Sequence, residues 1–155
     1  MSILFLLSNL AHSYTFFDFN HRYFWKTNPQ VVLCEDAKVN RDLVETAMRF
    51  WQSNSFTMRD DLIVKSCEKS HKKGEVRITH QRDLNIKKYY AYTIRDLDTD
   101  TNEISAATIL IDDLESKNLE LLIHEMGHAL GINHSNYDKS HIMHKHVVDE
   151  HTRLY

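Results

Sequence analysis

The chain has little of what interrupts regular structure. Its 155 residues include one proline and 3 glycines, where average glycine usage of about 7% would give roughly 11. No proline-, glycine- or serine-rich stretch marks an internal boundary, and there is no repeat or low-complexity tract. A single domain over residues 14–155 is therefore expected. No apolar run approaches the ~18 residues that a transmembrane helix needs. No charge of one sign dominates either. Lys+Arg number 19 and Asp+Glu 22, a formal net charge of −3, with no basic stripe of the kind that nucleic-acid binding uses. Histidine is the exception: there are 11, seven of them between His124 and His151. A chain with few glycines places them where backbone geometry demands it, and two of the three, Gly127 and Gly131, fall in the same segment.

The N-terminus and the cysteines bear on compartment. Residues 1–13 carry a short apolar run, Ile3–Leu7, followed by Ala11-His12-Ser13 as a small-x-small cleavage site. Two readings stand: a secretory signal without a basic n-region, or a buried N-terminal segment leading into the aromatic stretch Tyr14–Trp25. The two cysteines, Cys34 and Cys67, lack CxxC spacing. They are read as one disulfide, with two buried thiols as the alternative. The first readings together place the protein outside the cytoplasm; the second ones allow a cytoplasmic location.

Local patterns predict the order strand, helix, several strands, helix and a loop-rich tail, an α+β layout with helices on a sheet. Gln30–Glu35, Leu62–Cys67 and Glu75–Thr79 read as strands. Tyr89–Arg95 and Ile104–Ile111 read as a strand pair around a polar turn, 96–102. Asn40 caps a helix over Arg41–Gln52, with Leu43, Ala47, Phe50 and Trp51 on one face. A second helix begins at Leu114 or Ser116 and runs to Leu130.

That helix carries His124-Glu125-Met126-Gly127-His128-Ala129-Leu130-Gly131-Ile132-Asn133-His134. Histidines four apart on a helix share a face and can share a metal ion. Glu125 is rotated by about 100° from His124, so it can reach a water at the metal without ligating it. Gly131 suits the left-handed residue that ends a helix. The reversal lets His134 return as a third ligand. Three imidazoles leave one tetrahedral position open, the pattern of a catalytic rather than a structural zinc.

Here the chain resembles the metzincin zinc peptidases, whose motif is HExxHxxGxxH followed by a Met-turn. Ser135 after the third histidine is the choice of the matrixins, and Met143, nine residues after His134, stands where the Met-turn methionine belongs. Ala107–Asp113 is similar to the matrixin strand that leads to the active-site helix. The likeness is strongest over residues 104–143 and weaker back to Pro29. It implies a mixed twisted five-stranded sheet with two long helices, the second followed by a loop-rich part with the Met-turn. It implies zinc on His124, His128 and His134, Glu125 as general base and Met143 as an apolar floor. It also implies an edge strand pairing with substrate, here Tyr89–Thr93, with Tyr90, Ala91 and Tyr92 as the substrate-binding residues. The chain departs from matrixins in having no cysteine-switch motif and no structural-zinc histidine near Ile109 and Leu110. With 12 residues after Met143, a shortened C-terminal part is expected.

Weaker signals remain. Asp96, Asp98 and Asp100, with Glu103 nearby, are read as a solvated turn or as a calcium site, although Thr101 and Ala107 stand where an EF-hand has glycine and glutamate. Tyr137 is a candidate neighbour of the metal. His141, His144, His146 and His151 have no assigned role. The expected partner is a protein or peptide substrate, and the chain is expected to be a monomer, with attachment to a larger complex as a further option. A zinc endopeptidase is the leading function, and the alternative is a zinc-containing peptide-binding module without catalysis.

Overall fold

The computed structural model describes residues 19–68, 72–80, 90–113, 116–136 and 140–145. The signal-like segment, Tyr89, Leu114, Tyr137, His146 and His151 lie outside these. The elements are β1 (Phe24–Trp25), β2 (Gln30–Cys34), α1 (Arg41–Ser53), β3 (Ile63–Lys65), β4 (Glu75–His80), β5 (Ala91–Asp98), β6 (Glu103–Ile111) and α2 (Leu119–Ala129). The architecture is α+β, with two helices and a mostly parallel sheet.

Among the described residues the sheet has six strands, where five are expected. β3, β2, β4 and β6 run parallel in that order. β5 pairs antiparallel with β6, from Ala91↔Ile111 to Asp98↔Glu103. The additional strand is β1, whose two residues extend the sheet parallel to the start of β6 at Phe24↔Glu103 and Trp25↔Ile104. Two residues without alternation carry no strand signal, which is why the sequence reading missed it. β5 takes β6 as its one partner among the described strands and so stands at an edge of the described sheet. All five residues of β2 are buried, as expected for a strand covered on both faces.

Each helix begins at an asparagine. The Asn40 side chain accepts the Asp42 N–H at 2.8 Å, and Asn118 accepts that of Leu121 at 3.0 Å. Asn118 sets the start of α2 later than expected. Ser116 instead turns back, its hydroxyl donating to the Asp113 carbonyl at 2.8 Å. The buried stripe of α1 is Val44, Ala47, Met48 and Trp51, while Leu43 and Phe50 sit half-buried at its margin. Trp51 is fully buried and its indole N–H donates to the Ile123 carbonyl of α2 at 2.9 Å, locking the helices together. β5 runs three residues further than expected, through Asp98, and only 99–102 form the turn.

Cys34, at the end of β2, is bonded to Cys67, just beyond β3, with their Cα atoms 5.4 Å apart. The bridge closes a chain separation of 33 residues that includes α1. Cys34→Ala/Cys67→Ala is expected to lower stability by about 3–4 kcal/mol on loop-closure entropy. Urea unfolding of the double variant checks this; an unchanged midpoint would contradict it.

Candidate metal centre

α2 and the loop after it bring three histidines together. The Nε2 atoms of His124 and His134 are 3.2 Å apart, and that of His128 is 3.1 Å from each. Zn–N bonds of about 2.0–2.1 Å in a tetrahedron place nitrogens roughly 3.3–3.4 Å apart. The spacing therefore fits one ion held by three imidazoles. The outer nitrogens decide the tautomers. His124 Nδ1 is 2.7 Å from the Ile142 carbonyl, and His128 Nδ1 is 2.8 Å from the Ile132 carbonyl. A carbonyl only accepts, so each Nδ1 carries the proton and each Nε2 presents a lone pair to the centre. The two lone pairs, on nitrogens 3.1 Å apart, repel unless a proton or a metal cation lies between the nitrogens. Among the described residues, this is the group of three or more potential ligands that could hold a metal ion.

The backbone explains how His134 returns. Gly131 has φ +101°, and Ile132 N donates to Gly127 O at 3.0 Å. A strap of residues 20–23 holds the reversed loop: Arg22 N donates to Gly131 O at 3.2 Å and Asn133 N to Asn20 O at 2.9 Å. His21 and Ile132 form an antiparallel bridge. A Cβ on Gly131 would run into the Tyr23 carbonyl oxygen. Gly127 has its own reason. A Cβ there would come within 2.5 Å of Met143 Sδ and 2.6 Å of Trp51 Cζ2, so the helix needs a bare backbone where these two side chains pack.

Met143 is fully buried under α2. The turn that carries it is held by His141, a residue with no role in the sequence reading. His141 Nδ1 accepts the Met143 N–H at 3.1 Å, its carbonyl accepts the His144 N–H at 2.8 Å, and its ring packs edge-on against Phe19. Ser135 N donates to Met143 O at 2.8 Å, tying the turn to the residue after the third histidine. His144 is buried and bridges Ser135 in the same tie. Ile142, between His141 and Met143, supplies the carbonyl that orients His124. Nothing in the spacing of these histidines reveals that work, which depends on backbone contacts across the fold.

Glu125 is buried beside the triad. The hydroxyl of Thr93, on β5, bridges it, lying 2.6 Å from its Oε2 and 3.0 Å from its backbone carbonyl. The next side chain on that face, Arg95, donates from Nη1 to His128 O at 3.2 Å. Thr93 and Arg95 are therefore β5 residues that touch the centre; Thr93 is expected only as the end of the edge strand, and Arg95 is not among the expected site residues. Strand alternation gives Ala91 their parity, and Ala91 is buried. Tyr90 and Tyr92 have the other parity and are half-buried. The run Tyr89-Tyr90-Ala91-Tyr92 does not alternate in polarity, so register could not be read from it.

Burial governs the site's protonation. It pushes His124 down from 6.5 to about 4, against the Ile142 hydrogen bond and helped by the neighbouring His134 and His141. It pushes His128 down to about 3, helped by His124, His134 and Arg95 and opposed by the Ile132 hydrogen bond. Burial raises Glu125 from 4.5 to about 7, against the Thr93 hydrogen bond. At neutral pH the His124 and His128 imidazoles are uncharged and ready to ligate, and the carboxyl group exchanges its proton readily. In chelator-treated protein, the unfolded chain binds protons at His124 and His128 below pH 6.5 that the fold refuses until about pH 4 and about pH 3. Their contribution to stability falls with pH in that window. Glu125 works the other way, since the fold keeps a proton up to about pH 7 that the unfolded chain releases near 4.5. Two groups against one make these three residues favour stability rising from pH 4.5 to 6.5. Glu125→Gln removes the opposing group and should steepen the rise. Thermal melts of both chelated proteins across this range test it; equal slopes would contradict it.

The acidic turn does not gather. Asp96 lies in β5 opposite Ala106, where the ladder is irregular. The Asp98 carboxylate accepts the N–H groups of Asp100 and Thr101 at 3.0 and 3.2 Å, closing the turn on itself. No cluster of Asp96, Asp98 and Asp100 is present among the described residues. Asp113 instead pairs with Lys38 and with His80, the latter at 3.0 Å. Compared with known proteins, the chain matches no family model and no curated sequence.

Proposed function

We propose that the protein is a zinc-dependent endopeptidase of the metzincin type, nearest to the matrixins. The observation that carries this reading is the convergence of three Nε2 atoms, 3.1–3.2 Å apart, beside the buried carboxyl group of Glu125. An all-imidazole donor set with an adjacent non-ligating carboxylate suits a catalytic zinc better than a structural one. The methionine under the centre and the antiparallel edge strand beside it also agree with the metzincin pattern.

His124, His128 and His134 would hold the zinc, which when bound supplies Lewis acidity toward water and a peptide carbonyl. The chain's own groups do the rest. Ile142 and Ile132 carbonyls fix the imidazole tautomers. Thr93 holds the Glu125 carboxyl group in one orientation. Glu125 takes a proton from the attacking water and delivers it to the departing amine, work suited to a group that titrates near neutrality. β5, at an edge of the described sheet, can pair with an extended peptide, as in β-augmentation. A disulfide persists in oxidising surroundings, which supports an extracytoplasmic location. No helix of the described residues is long and apolar enough to cross a membrane.

The test is incubation of the purified, zinc-loaded chain with a denatured protein, followed by mass spectrometry of the new termini. Internal cleavage is expected. Peptide binding without any cleavage would favour the recognition module instead.

A further inference from the structure

Beside the three histidines lies an open cleft of about 440 Å³, lined by Thr93, Arg95, His128, Asn133, His134 and Asn136. Among the described residues, no carboxylate and no aliphatic side chain lines it, and the one permanent charge is that of Arg95, which is half-buried. A buried or half-buried guanidinium ordinarily pairs with a carboxylate. Arg95 has no such pair among the described residues. One of its five N–H donors is used, by His128 O at 3.2 Å, and the Tyr23 ring supports the group from 4.8 Å away. Tyr23 and the His128 carbonyl thus hold the cation in place and leave most of its donors unused. A fixed cation next to a centre built for a second cation is repulsive unless an anion joins them. Arg95 also lies on β5, at an edge of the described sheet and two residues beyond Thr93, so a peptide paired with β5 passes it.

We infer that Arg95 is a specificity-determining residue that recognises a carboxylate of the substrate close to the bond cleaved. This deepens the peptidase reading and rests on it. The carboxylate can come from an Asp or Glu side chain or from a chain terminus, and either would suit the bidentate geometry of a guanidinium.

The experiment uses zinc-loaded protein and a peptide series with Glu, Gln or Lys at each position around one cleaved bond. Each peptide is made with a free or an amidated C-terminus. Affinities for the same peptides are measured on Glu125→Gln, with and without a change at Arg95. At one position Glu should exceed Gln in kcat/KM by about 10–100-fold, the worth of a charge-assisted hydrogen bond. Arg95→Gln should bring that ratio near unity, Arg95→Lys should restore part of it, and Arg95→Glu should shift preference toward Lys. The partial restoration separates loss of recognition from loss of fold. A preference tied to the free C-terminus and lost in Arg95→Gln assigns the carboxylate to a chain end and supports the inference. Cleavage with no acidic preference, or a preference that survives Arg95→Gln, overturns it while the peptidase reading stands. Acidic-peptide binding that depends on Arg95, with no cleavage of any peptide, overturns the peptidase reading and with it the specificity role, leaving Arg95 as the carboxylate site of a recognition module.

Discussion

Glu125→Gln is expected to lower peptide hydrolysis by about 10²–10⁴-fold, the usual worth of a general acid–base group, while the protein keeps its zinc. The substitution preserves size and the capacity to bond the Thr93 hydroxyl, which lies 2.6 Å from Glu125 Oε2. It removes only the ability to take and return a proton. Glu125 is not among the three converging ligands, so metal content should not change. The loss should appear in kcat more than in KM, because the proton moves in the transition state and not on binding. Full activity in the variant would remove Glu125 from the mechanism. Lost zinc would show instead that the carboxyl group supports the fold of the centre.

Gly131→Ala is expected to be the most damaging single-methyl change, at about 3–5 kcal/mol. Backbone strain and overpacking each contribute about 1–3 kcal/mol. The residue combines φ +101° with a Tyr23 carbonyl oxygen in the place a Cβ would occupy. Relief would move the strap of residues 20–23 or the loop carrying His134, so zinc affinity should fall together with stability. Gly74 is the control. It also has positive φ, at +79°, but nothing lies within 4 Å of its Cβ position, so Gly74→Ala should cost only about 1–2 kcal/mol. Thermal unfolding of the two variants, with and without zinc, makes the comparison. Equal losses would show that the close approach of Tyr23 does not matter.

The legible parts were those written in local spacing. Histidines four apart on a helix, with a glycine three residues on and another histidine after three more, already describe a converging triad. Asn40 marks the start of α1, and the two strand-flanking cysteines are in fact bonded. Other features depend on competition or on contacts across the fold. Asp113, Ser116 and Asn118 are all residues able to start a helix, and only packing selects Asn118 for α2. The register of β5 was hidden because Tyr89-Tyr90-Ala91-Tyr92 lacks alternation, and with it went the site contacts of Thr93 and Arg95. The need for glycine at 127 comes from Trp51, 76 positions earlier, and from Met143. His141 acts through a backbone N–H two residues ahead, which histidine spacing cannot signal.

One zinc ion at His124, His128 and His134 is proposed to make this chain a peptidase, and peptide cleavage by chelator-stripped protein as zinc is added back tests this. No activity is expected in the stripped chain, followed by a rise that saturates at one zinc per chain. Cleavage that survives stripping, or a chain that binds its zinc and stays inactive, would rule the proposal out.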